Sequence, residues 1–285
     1  MNASHSSSQA VNYFAKELSW LSFNERVLQE AKDKSNPIIE RMRFLGIYSN
    51  NMDEFFRVRV ADVKRRILLN KIPDANFEED EILLHQIQSK VLQLGKKFNQ
   101  IHKSILNDLN EHNIHVELPE ELSEFHLSWL KKFFHDNVLQ HILPILLSEK
   151  KDYSDQINDT MTYLFVEMTN QKSHYAMMEV PTDRVSRFVI LPPEKTRRHK
   201  TIVMLDDIIA YFIRDVFSSF FSFDDIQCYA IKLTRDAEYN LDDELEEGLL
   251  DKMSKGLKQR ISAEPVRLVY DESMPAEMLK VMKKR

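Results

Sequence analysis

The sequence predicts an α+β protein of more than one domain: an antiparallel helical bundle, then an α+β head domain with a mixed or antiparallel sheet. The chain's 285 residues exceed the usual size of one domain, and 43% of them are hydrophobic, enough for substantial cores. Apolar residues recur every three or four positions up to about residue 112, whereas short β-like runs dominate beyond it. We therefore place the domains at residues 1–112 and 113–285.

Helices are predicted throughout the first domain. The first follows Ser19, and Asn36 with Pro37 is typical of an N-cap and first helical position, which begins a second helix. Residues 71–79, which include Pro73, predict a loop. A long helix follows, marked by regularly spaced apolar residues: Ile87, Val91, Leu94, Phe98, Ile101, Ile105 and Leu109. Spacing this regular is typical of helices packed in a bundle.

Two adjacent amides, Asn50 and Asn51, lie between two strongly helical stretches, where Ala, Leu or Glu would favour a helix more. They predict a break between two helices. One interpretation makes either residue the N-cap of the second helix, with Asp53 in its first turn. The other is that an amide at an open helix N-terminus offers a donor and an acceptor to a ligand. The two interpretations are compatible for adjacent residues.

The second domain begins with a helix after Pro119. Its apolar face comprises Leu127, Leu130, Phe134, Val138 and Ile142. Five strands are predicted, at residues 162–168, 174–180, 187–191, 227–233 and 266–270. Helices are predicted at residues 206–217 and 243–261, and an amphipathic helix begins near Pro275. Strand runs mixed with helices in this way indicate an α+β domain.

Composition excludes several classes of protein. The net charge of −6 argues against a general polyanion or nucleic-acid binder. With only four glycines, the chain contains neither the GxxxxGK[ST] phosphate loop nor the GxGxxG dinucleotide turn. No apolar run approaches the roughly 18 residues of a membrane span, and the Ser-rich start lacks a signal-peptide core, so we expect a cytoplasmic protein. The single cysteine, Cys228, is expected to be a buried structural thiol.

Several segments are distinctive in content and order. Residues 17–28 are ELSWLSFNERVL, residues 35–37 are SNP, and residues 41–59 contain Ser-Asn-Asn. Further segments are EVP at 179–181, RFVILP at 187–192, LDDII at 205–209, TRDAE at 234–238 and PVRLVY at 265–270. Over nearly the whole chain, the sequence resembles the N-terminal and head domains of bacterial polyphosphate kinases of the phosphohistidine type.

The resemblance implies an ATP:polyphosphate phosphotransferase, which reversibly transfers the terminal phosphate of ATP, with Mg²⁺, through a phosphohistidine to inorganic polyphosphate. In that family the catalytic residues lie in later phospholipase-D-like domains. The chain is therefore expected to be an inactive N-terminal portion without catalytic residues or a tightly bound cofactor.

The resemblance also assigns roles within this portion. It implies that the helical domain closes one side of the nucleotide pocket, that Asn51, the second Asn of the motif, contacts ATP, and that the head domain supports a homodimer or higher oligomer. The alternatives are an oligomerisation or docking module without nucleotide affinity of its own, and a regulatory protein that kept only these two domains.

Two basic groups have open interpretations. The first either helps to hold phosphates or forms a solvated helix face, and comprises Arg57, Arg59, Lys64, Arg65 and Arg66. The second either contacts polyphosphate or a neighbouring subunit, or forms an exposed basic hairpin tip, and comprises Lys195, Arg197, Arg198, His199 and Lys200.

The histidines do not predict a metal site. His112 with His115 and His135 with His141 form two close pairs along the sequence. Neither is accompanied by a second ligand pair with the spacing typical of zinc sites, and the lone cysteine adds no ligand set. We therefore predict that the chain holds no metal.

Overall fold

The computed structural model describes residues 15–69, 77–148, 153, 157–236 and 265–283. The chain divides into two compact units. One comprises Met1–Glu54 and Asp62–Lys103, and the other comprises Phe55–Ala61 and Ser104–Arg285. The domain boundary proposed at residue 112 stays a prediction. The helix predicted at residues 243–261 lies outside the described residues.

Helices dominate the first part of the chain. They are α1 (Lys16–Lys32), α2 (Ile38–Glu54), a π-helical turn (Phe55–Val60), α3 (Ala61–Leu69) and α4 (Phe77–Glu111). Helices α1 and α2 pack as an antiparallel hairpin: Arg41 Nε donates to Ala31 O at 2.9 Å near the turn, whereas Asn24 contacts Tyr48 further along. The predicted long helix is confirmed as α4.

Three local predictions are wrong. Helix α1 begins before Ser19, at Lys16, and residues 77–79 belong to α4 rather than to a loop. The Asn pair neither breaks nor caps a helix, because α2 runs through it and continues through the π-helical turn into α3. Burial of apolar side chains on both sides of the pair outweighs the weaker helix propensity of Asn. These side chains are Tyr48, Met52, Phe55, Phe56 and Val60.

The described residues of the second unit form two sheets, one antiparallel and one mixed, in keeping with the predicted mixed or antiparallel architecture. Five antiparallel strands have the order β2-β4-β3-β7-β8, and a three-stranded sheet has the order β1-β6-β5, with β1 parallel to β6. The strands are β1 (Ile114–Val116), β2 (Ile145–Leu147), β3 (Tyr163–Thr169), β4 (Ser173–Glu179), β5 (Phe188–Ile190), β6 (Lys200–Met204), β7 (Asp225–Arg235) and β8 (Pro265–Tyr270).

The helical elements of this unit were largely predicted. They are a 3₁₀ turn (Pro119–Glu121), α5 (Glu124–Phe133), a π-helical turn (Phe134–Val138), a 3₁₀ turn (Leu139–His141), α6 (Leu205–Tyr211), α7 (Ile213–Phe217) and α8 (Ala276–Lys283). The helix predicted at residues 206–217 is divided at Phe212, which adopts φ −93° and ψ 18°. No described helix is both long enough and apolar enough to cross a membrane.

Strand β3 is buried on both faces. Its side chains Leu164, Val166 and Met168 enter the larger core with α5, α6 and α7. Tyr163 and Phe165 enter a smaller core on the other face, which includes Met274 and Met278 near and in α8. Full burial of such a side chain contributes about 1.5–3 kcal/mol to stability. Because β3 supplies such side chains to both cores, it is the central strand of this unit.

Candidate functional site

A buried asparagine interrupts the apolar stripe of α1. Leu21, Leu28 and Ala31 occupy one face of this helix, and Asn24 lies among them with no exposed area. A buried amide needs hydrogen-bond partners, because leaving one of its groups unpaired costs about 1–3 kcal/mol. Asn24 finds its partners on α2.

The hydrogen bonds of Asn24 fix the orientation of Asn51. The Nδ2 of Asn24 donates to the backbone oxygen of Tyr48 at 3.3 Å. A carbonyl only accepts, so the Oδ1 of Asn24 must face the other way, where it accepts from the Nδ2 of Asn51 at 2.9 Å. Asn51 therefore turns its own amide nitrogen towards Asn24.

Asn51 keeps hydrogen-bonding capacity after this contact. It is half-buried, one turn beyond Tyr48, and its Oδ1 has no hydrogen bond among the described residues. Its Nδ2 carries a second hydrogen. One acceptor and one donor thus remain on Asn51, whose side-chain orientation is set by Asn24. Asn50, the neighbouring amide, is exposed.

Contacts within the first unit hold α1 and α2 in place around this pair. Glu25, the residue after Asn24, accepts from Lys90 at 2.5 Å and from Lys97, both on α4. The hydrogen bonds from these lysines hold the pKa of Glu25 below its usual value. The Tyr48 ring stacks on Phe98 of α4, with 5.6 Å between centroids. Packing and ion pairs to α4 therefore hold the two helices that carry Asn24 and Asn51.

The basic residues near the Asn motif are mostly paired. Arg66 binds Asp80 at 2.8 Å and Asp62 at 2.5 Å, which clamps α3 to α4. In the second unit, Arg57 lies 3.2 Å from Asp159. Arg59 is exposed and forms no ion pair among the described residues. Ion pairs thus engage Arg57 and Arg66, for which a phosphate contact and a solvated helix face were both open interpretations.

The predicted basic hairpin joins β5 to β6, but it is not uniformly exposed. Lys195, Arg198 and Lys200 are exposed, whereas Arg197 and His199 are half-buried and bind Glu117. The hairpin-tip interpretation therefore fails for these two residues, because a carboxylate beside β1 holds them.

Cys228 is half-buried against the larger core, rather than buried as the sequence predicted. Burial raises its pKa to about 12, so the sulfur stays protonated at neutral pH.

The ATP contact that the resemblance assigns to Asn51 stays a prediction, and sequence reasoning did not single out Asn24. A signal for Asn24 was present, since a polar residue occupies a position of the Leu21, Leu28 and Ala31 stripe. The role of Asn24 depends on α2, which follows from tertiary packing alone.

Comparison with known proteins identifies the family to which the chain belongs. Residues 13–117 match the model of the polyphosphate kinase N-terminal domain, and residues 126–285 match that of the polyphosphate kinase middle domain. These matches define the class as a multidomain protein in which a helical domain precedes a middle domain. The chain belongs to the polyphosphate kinase family.

Curated relatives are similar over nearly the whole chain. Polyphosphate kinase of Yersinia pestis is 47% identical over 274 residues, which are 96% of this chain and 40% of that protein. The Vibrio vulnificus YJ016 protein of the same name is 46% identical over 271 residues, 95% of this chain and 39% of that protein. The chain thus spans about 40% of the length of these relatives.

A solved structure agrees with the fold. The crystal structure of polyphosphate kinase from Porphyromonas gingivalis matches with a TM-score of 0.75 at 32% identity. The match covers 96% of this chain and 38% of that chain. The helical and α+β architecture predicted from the sequence is confirmed.

Proposed function

We propose that this chain is the nucleotide-facing front part of a polyphosphate kinase. The whole enzyme reversibly transfers the terminal phosphate of ATP, with Mg²⁺, through a phosphohistidine to polyphosphate. Family membership and the shared name of the relatives support this reaction. The cytoplasm is its proposed location.

Asn51 is the residue proposed to contact ATP, and its orientation by Asn24 is the observation that carries the proposal. A side-chain amide with a free acceptor and a free donor matches the edge of adenine, which presents an amino donor beside a ring-nitrogen acceptor. Because Asn24 already holds the side chain, binding requires little further loss of rotamer freedom. The first unit would then close one side of the nucleotide pocket.

The surrounding charges favour the base end of ATP over its phosphates. Lys90 and Lys97 are both engaged by Glu25, the residue after Asn24. Transfer of a phosphoryl group needs cations or metal ions around the phosphates, whereas a base needs orientation. Asn51 would supply orientation.

The chemical step belongs to the part of the relatives that this chain does not cover. We found no nucleophile with a local catalytic signature in the sequence, and the family places its phosphohistidine in later domains. The isolated chain is expected to form neither acid-labile phosphoprotein nor polymer from labelled ATP and Mg²⁺. The Michaelis constant for ATP of Asn51→Ala in a full-length polyphosphate kinase carrying residues 1–285 tests the role of the pair.

Self-association through the second unit is the second part of the proposal. Strand β5 is at the edge of the three-stranded sheet, and its outward side chains Phe188 and Ile190 are 52% and 63% exposed. An edge strand with large exposed apolar side chains is suited to pairing with another chain. This feature also favours the alternative function, an oligomerisation module without nucleotide affinity of its own.

A further inference from the structure

A second polar cluster lies in the second unit, on one face of the three-stranded sheet. His115 is in β1, Glu117 follows two positions later, and His199 immediately precedes β6. In the parallel register of these strands, His115 lies opposite Thr201. Because side chains alternate between the faces of a sheet, all four residues lie on the same face.

Three of these side chains bring possible metal ligands together. The Nε2 of His199 is 3.0 Å from the Oε1 of Glu117, and the Nδ1 of His115 is 3.9 Å from the same oxygen. One ligand atom from each residue lies within 4.8 Å of the others. In a tetrahedral zinc site, metal–ligand bonds of about 2.0–2.2 Å place ligand atoms about 3.3 Å apart. One of the separations is already of this size.

The remaining adjustment is a rotation of two rings. The imidazoles of His115 and His199 stack with 3.8 Å between centroids and 9° between planes. Parallel rings direct their nitrogens alongside each other, so each ring must tilt for both nitrogens to meet one ion. His115 is 32% exposed and His199 20%, which leaves room for this tilt.

An outer partner orients the carboxylate. The Oε2 of Glu117 accepts from Arg197 at 2.6 Å, which leaves Oε1 for the histidines. Arg197 is shared with Glu194, whose Oε2 lies 3.5 Å from its Nε. One arginine between two carboxylates leaves one net negative charge among these three side chains, and ligating carboxylates in metal sites are held by such partners.

We propose that His115, Glu117 and His199 bind one transition-metal ion of the zinc class, with water completing its coordination. Two imidazole nitrogens and one carboxylate suit Zn²⁺, Co²⁺ or Ni²⁺, whereas Mg²⁺ takes oxygen ligands. The site is therefore separate in chemistry from the Mg²⁺ that accompanies ATP, and it does not depend on the proposed nucleotide contact. The bound ion would join β1 to β6, a parallel pair only three residues long in register.

Calorimetric titration of the untagged, chelator-treated chain with ZnCl₂ tests the site. We expect one tightly bound equivalent, unaffected by excess Mg²⁺. The variants Glu117→Gln and His199→Ala should weaken zinc binding at least tenfold. Loss of a residue that only holds a ligand in place already costs about tenfold, and these two residues are the ligands themselves. His112→Ala, at an exposed histidine close to β1, is the matched control and should bind as the wild type does.

Two further readings separate binding from folding. Zn²⁺ should raise the melting temperature of the wild type and of His112→Ala by more than that of either site variant at the same concentration. Co²⁺ bound to the wild type should show the intense visible absorption of a low-coordinate, nitrogen-ligated ion, a reading that needs no variant. The proposal is overturned if the wild type binds no zinc, if both site variants bind it as the wild type does, or if bound Co²⁺ keeps its hydrated spectrum.

Discussion

The Nδ2 of Asn51 donates to the Oδ1 of Asn24 at 2.9 Å, and Asn24 has no exposed area. Two amides from different helices thus form a short chain that starts at the backbone oxygen of Tyr48. The Tyr48 carbonyl can only accept, so Asn24 must turn its Nδ2 towards it and its Oδ1 towards Asn51. Asn51 must then turn its own Nδ2 towards Asn24. A half-buried side chain that offers a donor and an acceptor is therefore held in one orientation.

The position of Asn50 inside α2 predicts an unusual result for its replacement. Asn50→Ala should leave the free energy of unfolding unchanged or raise it by a few tenths of a kcal/mol, because Ala is the better helix former. Urea denaturation measures this. A loss of about 1 kcal/mol, the cost of removing an N-cap, would contradict a continuous helix.

Asn24 and Asn51 should be energetically coupled. Asn24→Ala and Asn51→Ala each break the bond between them, and Asn51→Ala also leaves a buried oxygen of Asn24 without its donor. We expect a coupling free energy of about 0.5–1.5 kcal/mol from a double-mutant cycle of urea denaturations. Asn50→Ala with Asn24→Ala is the control cycle and should be additive. Additivity of the Asn24 and Asn51 changes would contradict the contact.

Asp207 predicts a pH dependence of stability. Burial, and next the charge of Asp206, raise the pKa of Asp207 to about 6. In the unfolded chain the carboxyl loses its proton near about pH 3.9. Between these values the folded state binds more protons, so this group lowers the free energy of unfolding as pH rises, by up to about 3 kcal/mol.

The change Asp207→Asn isolates this contribution. Relative to the wild type, the variant should become progressively more stable between about pH 4 and about pH 7, as followed by urea denaturation at each pH. Asp183→Asn, at an exposed carboxylate, is the control and should keep the pH dependence of the wild type. A stability difference for Asp207→Asn that does not change with pH would show that the carboxyl is not protonated in the folded chain.

Self-association should depend on the edge strand β5. Light scattering over a range of concentrations should show a mass above that of the monomer. The double change Phe188→Ser and Ile190→Ser should shift the chain towards monomer, because it removes the exposed apolar side chains. Phe125→Ser, at a residue of α5 that is 50% exposed, is the matched control. A wild type that is monomeric at every concentration would leave assembly outside this region.

The predictable parts of the fold are those with long or strongly apolar patterns. The period of α4 and the apolar runs of β3 and β7 identify these elements without tertiary information, and so do the proline and polar boundaries around β8. Strands β1 and β2 have three residues each, too few to show a period. The helix break predicted at Asn50 and Asn51 was wrong because local helix propensity takes no account of the packing of Phe55 and Phe56.

The sites show the same limit. The ATP contact of Asn51 was inferred from the family resemblance and stays a prediction, whereas its orientation by Asn24 is visible only once α1 pairs with α2. The cluster of His115 and His199 joins residues from distant parts of the sequence, so the spacing of histidines along the chain did not reveal it. Juxtapositions created by strand pairing become visible only in the folded chain.

Asn24 should act on the nucleotide only through Asn51. In a full-length polyphosphate kinase carrying residues 1–285, Asn24→Ala should raise the Michaelis constant for ATP by no more than Asn51→Ala does. Adding it to Asn51→Ala should have no further effect on that constant, since the oriented side chain is already gone. A further increase in the double variant would give Asn24 its own contact with the nucleotide.

The most direct test of the account is the Michaelis constant for ATP of Asn51→Ala in the same full-length protein, with Asn50→Ala as the neighbouring control. Loss of a net hydrogen bond of about 0.5–1.5 kcal/mol should raise that constant roughly two- to tenfold. The turnover number should fall less if the contact is equally strong in the ground and transition states. Asn50→Ala should leave both constants unchanged. A lowered melting temperature for Asn51→Ala with unchanged ATP kinetics would contradict the account: the contact between Asn24 and Asn51 would then be structural only, and Asn51 would not bind the nucleotide.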